Sequence, residues 1–160
     1  MYSTNRICAA AALAFIGGIL AMAQVRSAGS TPKASYFAAA ELQKIWTDLE
    51  TRQVINQRVV EGGAYSINIR IVRPGDAPLV HAHSADIWIA MDGAATAVTG
   101  GQLLDGKKRG TTDDMAGSGI ANGTEQPLKP GDIVFVPAGV PHGFKNVKGF
   151  RAYLIRFDTN

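Results

Sequence analysis

The chain is 160 residues long, enough for one domain with an ordinary hydrophobic core. Its one cysteine, Cys8, lies in the N-terminal apolar segment, so no disulfide framework supports the fold downstream. The formal charge is only +3, and its one basic cluster, Lys107-Lys108-Arg109, is followed by Asp113-Asp114 in a glycine-rich stretch. That pattern reads as a solvated loop and excludes a nucleic-acid surface.

In chain order, residues 1–23 read as a secretory signal peptide. Arg6 supplies the positive flank, residues 7–23 are apolar, and Ala21-Met22-Ala23 has the small-x-small pattern of a cleavage site. The run is short of the roughly 20 residues that span a bilayer, and Gly17-Gly18 interrupts it. The alternative is an uncleaved anchor. Cys8 begins the run rather than following it, which does not suit a lipid-anchoring site. The expectation is a periplasmic or secreted protein with no membrane segment after cleavage.

Residues 24–34 are small and polar and read as a flexible arm leading into one domain, 35–160. Ser35 suits the N-cap of a helix running to about Glu50, whose apolar stripe is Ala38, Leu42, Ile45, Trp46 and Leu49. Trp46 on that stripe reads as a core or dimer contact. From Val54 onward the pattern changes to short strands: 54–60, 64–73, 79–83, 86–92, 95–104, 133–137, 142–147 and 150–157. Gly62-Gly63, Pro74-Gly75-Asp76, Asp92-Gly93, Pro130-Gly131-Asp132 and Pro137-Ala138-Gly139 punctuate them. The stretch 105–124 reads as a long loop. Short strands with one helix and no βαβ alternation predict an antiparallel sandwich or barrel.

The mature chain contains three histidines. His81 and His83, two apart on a predicted strand, would share a face about 7 Å apart, a spacing that lets both reach one metal ion. If Ser84-Ala85 is the loop of a tight hairpin, His83 faces Asp86 and His81 faces Trp88, so all four point the same way; one bulged residue reverses that parity. His142 follows the rigid Pro137-Ala138-Gly139-Val140-Pro141 turn and starts another strand, which fixes a ligand arriving from elsewhere.

These residues carry a family resemblance. Gly75-(x5)-His81-x-His83-(x2)-Asp86-(x6)-Gly93 resembles the first cupin motif, and Gly131-(x5)-Pro137-x-Gly139-(x2)-His142-(x3)-Asn146 matches the second. The resemblance covers about residues 54–158. It implies an all-β fold, a double-stranded β-helix (jelly-roll) barrel, with a metal inside one mouth held by His81, His83, Asp86 and His142. The departure is at the acid, where the family has glutamate one residue further from the second histidine. Asp86 can therefore be a direct ligand, an acceptor that orients a histidine, or a catalytic base.

Such a ligand set suits one divalent ion of iron, manganese, nickel, copper or zinc, with positions left for water or substrate. Trp88 and Phe144 are candidates for the pocket wall, although aromatic residues in a small barrel are commonly core. Arg70 and Arg156 would be expensive to bury unpaired. Pointing inward, one of them clamps a carboxylate; pointing outward, the favoured reading, they are solvated surface. Gly117-x-Gly119-x-x-x-Gly123 follows no convincing strand and is no dinucleotide site, and Asn122-Gly123-Thr124 marks a surface turn.

The leading expectation is a metal-dependent enzyme acting on a small, oxygen-rich organic molecule, with dioxygenase, isomerase and lyase all compatible. The alternatives are a non-catalytic periplasmic cupin that binds or senses a small ligand, and a barrel stapled by a structural ion. The apolar outward set Ile87, Ile89 and Met91 requires cover, from the helix or from a second subunit, and a homodimer is expected.

Overall fold

The computed structural model describes residues 26–27 and 34–159. The expected signal peptide, 1–23, and most of the expected arm, 24–34, lie outside the described residues. In chain order the elements are β1 Arg26–Ser27, α1 Ala39–Thr51, β2 Asn56–Glu61, β3 Tyr65–Ile71, β4 Leu79–Val80, β5 Ser84–Thr99 and β6 Gln102–Leu104. Then follow β7 Lys107–Lys108, β8 Met115–Ala116, β9 Gly119–Ala121, β10 Thr124–Leu128, β11 Ile133–Val136 and β12 His142–Asp158.

Two long strands organise the barrel. β5 pairs antiparallel with β12 along most of its length, with β11 beside its first half and β10 beside its second. β12 pairs on its other side with β3, and β3 with β2. The strands can serve both ends because they change register together near residues 145–152. Gly93 sits at this bend with φ +69°, and a Cβ there would come within 2.3 Å of the Gly149 carbonyl oxygen. Only glycine allows the two backbones to approach so closely.

Alternation along the strands divides the apolar residues into two sets. Trp88, Ala90, Ala95, Ala97, Leu128, Val136, Phe150, Ala152 and Leu154 fill the barrel. Ile69, Ile71 and Val59, on the other face, meet Ile45, Trp46 and Leu49 of α1. Trp46 stacks on Tyr153 with ring centroids 5.1 Å apart, so it is a core residue.

The helix begins later than expected. Its N-cap is Ala38, which makes no side-chain cap bond. Phe37 and Leu42, before and inside the first turn, both pack on the core beneath, the arrangement of a hydrophobic staple. That apolar anchoring replaces the expected Ser35 cap. The loop expected over 105–124 is also more ordered than it reads, since it contains β7, β8 and β9, and β8 pairs with β4.

The hairpin expected at Ser84-Ala85 does not form. β5 starts at Ser84 and β4 ends at Val80, with its partners in β8 and β12 rather than in β5. Residues 82–83 form a bend between them.

Candidate metal centre

Three side chains converge at one end of the barrel interior: His81, Asp86 and His142. All are buried, and one ligand atom from each lies within 4.8 Å of the others. Asp86 points inward because β5 alternates from Ser84 onward, burying Asp86, Trp88 and Ala90 in turn. His142 opens β12, where it pairs with Leu79 of β4, just ahead of His81. The Pro137-Ala138-Gly139 turn ties these parts together: Gly139, at φ +77°, donates its N–H to the His81 carbonyl at 2.7 Å.

The hydrogen bonds define how each ring is presented. His142 Nδ1 is 3.1 Å from the Val140 carbonyl oxygen, which can only accept, so in the neutral ring Nδ1 carries the proton. His142 Nε2 is then a bare lone pair. It is buried without a hydrogen-bond partner, 3.5 Å from Asp86 Oδ2. His81 Nδ1 donates to Asp114 Oδ2 at 2.7 Å, leaving Nε2 as an acceptor, 3.7 Å from the same Asp86 oxygen. Asp114 is itself fixed by the Ala82 N–H at 3.1 Å.

Arg156 of β12 completes the cluster. Its Nε and Nη2 donate to Asp86 Oδ1 and Oδ2 at 2.7 and 2.8 Å, and Nη2 also lies 2.6 Å from His81 Nε2. Arg156 thus points inward and clamps a carboxylate, as does Arg70, whose guanidinium donates to Asp76 and to the Ile55 carbonyl. The outward reading favoured for both is corrected: an arginine can be half-buried when an acid or carbonyl meets it.

Charge follows from these contacts. Burial alone would raise the Asp86 pKa, but the paired hydrogen bonds and the charge of Arg156 outweigh it and hold the carboxyl at about 2. Burial, and then the Arg156 charge, push His81 below its ordinary value, so it is a neutral acceptor near pH 7. Burial would likewise raise Asp114, yet the bonds from His81 and Ala82 leave it lowered, a carboxylate that orients the ring.

His83 is not brought to this cluster. Its side chain is 73% exposed, with Nε2 3.7 Å from Asp113 on the surface. The same-face argument for His81 and His83 requires a strand, and the chain bends there instead. Trp88 and Phe144 meet edge to face at 4.8 Å within the barrel core. Phe144 also lines a cleft of about 410 Å³ with Pro78, Val98, Ile120 and Lys145, beside the histidine cluster rather than on it.

Asp114 is a site residue that no sequence signal singles out, and Arg156 takes the inward alternative that was not the favoured one. Phe150, Ala152, Leu154 and Arg156 do share one parity along β12, but Tyr153, Ile155 and Phe157 make the other face equally apolar.

The donor set fits a divalent ion. Bonds of about 2.1 Å around one centre place neighbouring ligand atoms about 3 to 3.5 Å apart, close to the 3.5 and 3.7 Å between Asp86 and the two histidines, in a set that lies within 4.8 Å. Two imidazole lone pairs with Nδ1 already bound, and one ionised carboxylate, are the states that metal binding requires.

No family model matches the chain, and no curated protein matches it. The solved structure of BH2720 from Bacillus halodurans is similar in fold, with 12% identity, TM-score 0.52, and 85% of this chain and 88% of that chain covered. A Cupin 2 conserved barrel domain protein from Salinispora arenicola is 24% identical with TM-score 0.44, covering 65% and 75%. A double-stranded β-helix domain protein from Klebsiella pneumoniae is 24% identical with TM-score 0.47, covering 66% and 77%.

The paired long strands, the polar cluster at one mouth and, among the described residues, one helix outside define the cupin fold, an all-β double-stranded β-helix barrel. Its interior holds a His/Asp/His cluster of the kind that can bind a metal.

Proposed function

We propose that the chain is a divalent-metal-binding cupin whose ligands are His81 Nε2, Asp86 and His142 Nε2, and that it acts as a metal-dependent enzyme on a small, oxygen-rich organic substrate. The observation that carries this reading is the buried, unpartnered Nε2 of His142, which faces an ionised carboxylate and the unprotonated Nε2 of His81. Leaving such an atom unpaired costs about 1–3 kcal/mol, a penalty that a bound ion removes.

An ion held by three protein ligands supplies a Lewis acid with open positions for water or substrate. The chain's own residues then have defined tasks. Asp114 and the Val140 carbonyl lock the two ring orientations. Asp86, ionised far below neutrality, suits a ligand better than a proton-accepting base, whose pKa should lie near the working pH. Dioxygenase, isomerase and lyase chemistry all remain compatible, and so does iron, manganese, nickel, copper or zinc.

Titrating the metal-free chain with Co²⁺ tests the reading. One equivalent should produce ligand-field absorption that is absent in His142→Ala; a spectrum identical in that variant would end it.

A second reading is a non-catalytic ligand-binding cupin, favoured by Arg156, whose guanidinium already neutralises Asp86. Failure to take up any of the five metals would support it.

We further propose export to the periplasm or beyond, and a homodimer. Support for the dimer comes from the outer sheet face, where Ile133 and Phe135 are 65% and 57% exposed beside Ile89 and Ile87, while α1 packs on β2 and β3 instead.

A further inference from the structure

We propose that Arg156 is a built-in competitor of the metal ion, an internal cation that must release His81 before the centre can load. This rests on the metal reading given above.

A carboxylate has about four acceptor positions, so Asp86 can keep one bond to Arg156 while offering an oxygen to a metal. An imidazole nitrogen has one. His81 Nδ1 carries a proton held by Asp114 at 2.7 Å, so Nε2 is the only nitrogen that the ring can offer. That lone pair already accepts from Arg156 Nη2 at 2.6 Å. An ion and this N–H cannot share it, and metal binding at His81 therefore breaks the contact.

The competitor is firmly seated. The guanidinium fork holds both Asp86 oxygens, at 2.7 and 2.8 Å, in the bidentate geometry that makes arginine–carboxylate pairs strong. Asp86 is 1% exposed, and the Arg156 side chain, 29% exposed, reaches it from the open side. His142 is not engaged by Arg156; its Nε2 faces the same centre without a partner. The site therefore has one ligand open and two occupied by an internal cation. Apparent metal affinity is lowered by whatever free energy holds Arg156 in place, and the metal-free barrel is spared an uncompensated buried carboxylate. Arg70, the other inward arginine, is held by Asp76 and the Ile55 carbonyl and touches none of the three ligands, which makes it the control for charge alone.

The test compares Zn²⁺ affinity, by chelator competition, in the full-length chain and in Arg156→Gln, Arg156→Lys and Arg70→Gln, each checked for native circular dichroism. Losing charge-assisted bonds to two ligands should tighten Zn²⁺ binding about tenfold to hundredfold in Arg156→Gln. Arg156→Lys, which lacks the planar fork, should fall between that variant and the parent and serves if the glutamine variant does not fold. Arg70→Gln should change affinity by less than about threefold, because Asp76 already pairs that charge and the guanidinium touches no ligand. A separate readout is the Arg156 Nε–H resonance in the parent chain, which should shift when Zn²⁺ is added. Equal or weaker Zn²⁺ binding in Arg156→Gln, or an unmoved resonance at saturation, overturns the competitor role while leaving the metal site standing. No Zn²⁺ uptake by any of the four proteins overturns both.

Discussion

Asp114 Oδ2 lies 2.7 Å from His81 Nδ1, although the two are 33 positions apart and Asp114 belongs to the glycine-rich stretch after the basic cluster. The contact turns the His81 ring so that Nε2 faces Asp86, and it fixes the proton on the outer nitrogen. A residue acting through another in this way should affect metal affinity without being a ligand.

Asp114→Asn should therefore bind metal about tenfold to hundredfold more weakly while keeping one site per chain. Chelator competition measures this directly. Unchanged affinity would mean that the barrel holds His81 without help.

His81, Asp86 and His142 stand out because two of the three are histidines set against turn motifs, and their convergence is what the structure shows. The route to Asp86 was different from the one inferred: plain alternation along β5 buries it, and no hairpin is needed. His83 was misplaced because strand parity was extended through residues 82–83, where the chain bends. Arg156 pairs with an acid 70 positions away, and both faces of β12 are apolar, so no local pattern says which way it points. An antiparallel sandwich or barrel was legible because turn residues punctuate short strands from Val54 onward, and its jelly-roll form was implied only by the resemblance to the two cupin motifs.

Stability of the metal-free chain should decline as the solution is acidified. His81 is depressed in the folded state relative to 6.5, so below about that pH the unfolded chain binds the extra proton and gains free energy. Asp86 has the opposite ionic character but the same consequence. Its folded value of about 2, against 3.8, gives stability that is present above 3.8 and is lost as pH falls through about 2. Urea midpoints measured from neutral to acid pH should fall in two stages, the first beginning near 6.5. A midpoint that rises on crossing 6.5 would show that His81 gains rather than loses proton affinity on folding.

The exposed pair on the outer sheet leads to a prediction about assembly. Phe135 stacks on Phe157 at 6.4 Å and stands beside Ile133 on an otherwise apolar face. Phe135→Glu would place a charge in the middle of a dimer interface and should yield monomers, with the barrel core untouched. Light scattering after size exclusion reads this: parent mass twice that of the variant supports the dimer, and a monomeric parent contradicts it.

The most direct measurement is metal content by plasma mass spectrometry in the parent chain, in His83→Ala and in the double variant His81→Ala/His142→Ala. A centre built from His81, Asp86 and His142 predicts close to one divalent ion per chain in the parent and in His83→Ala, and none in the double variant. Metal lost with His83 alone, or retained by the double variant, would contradict that centre.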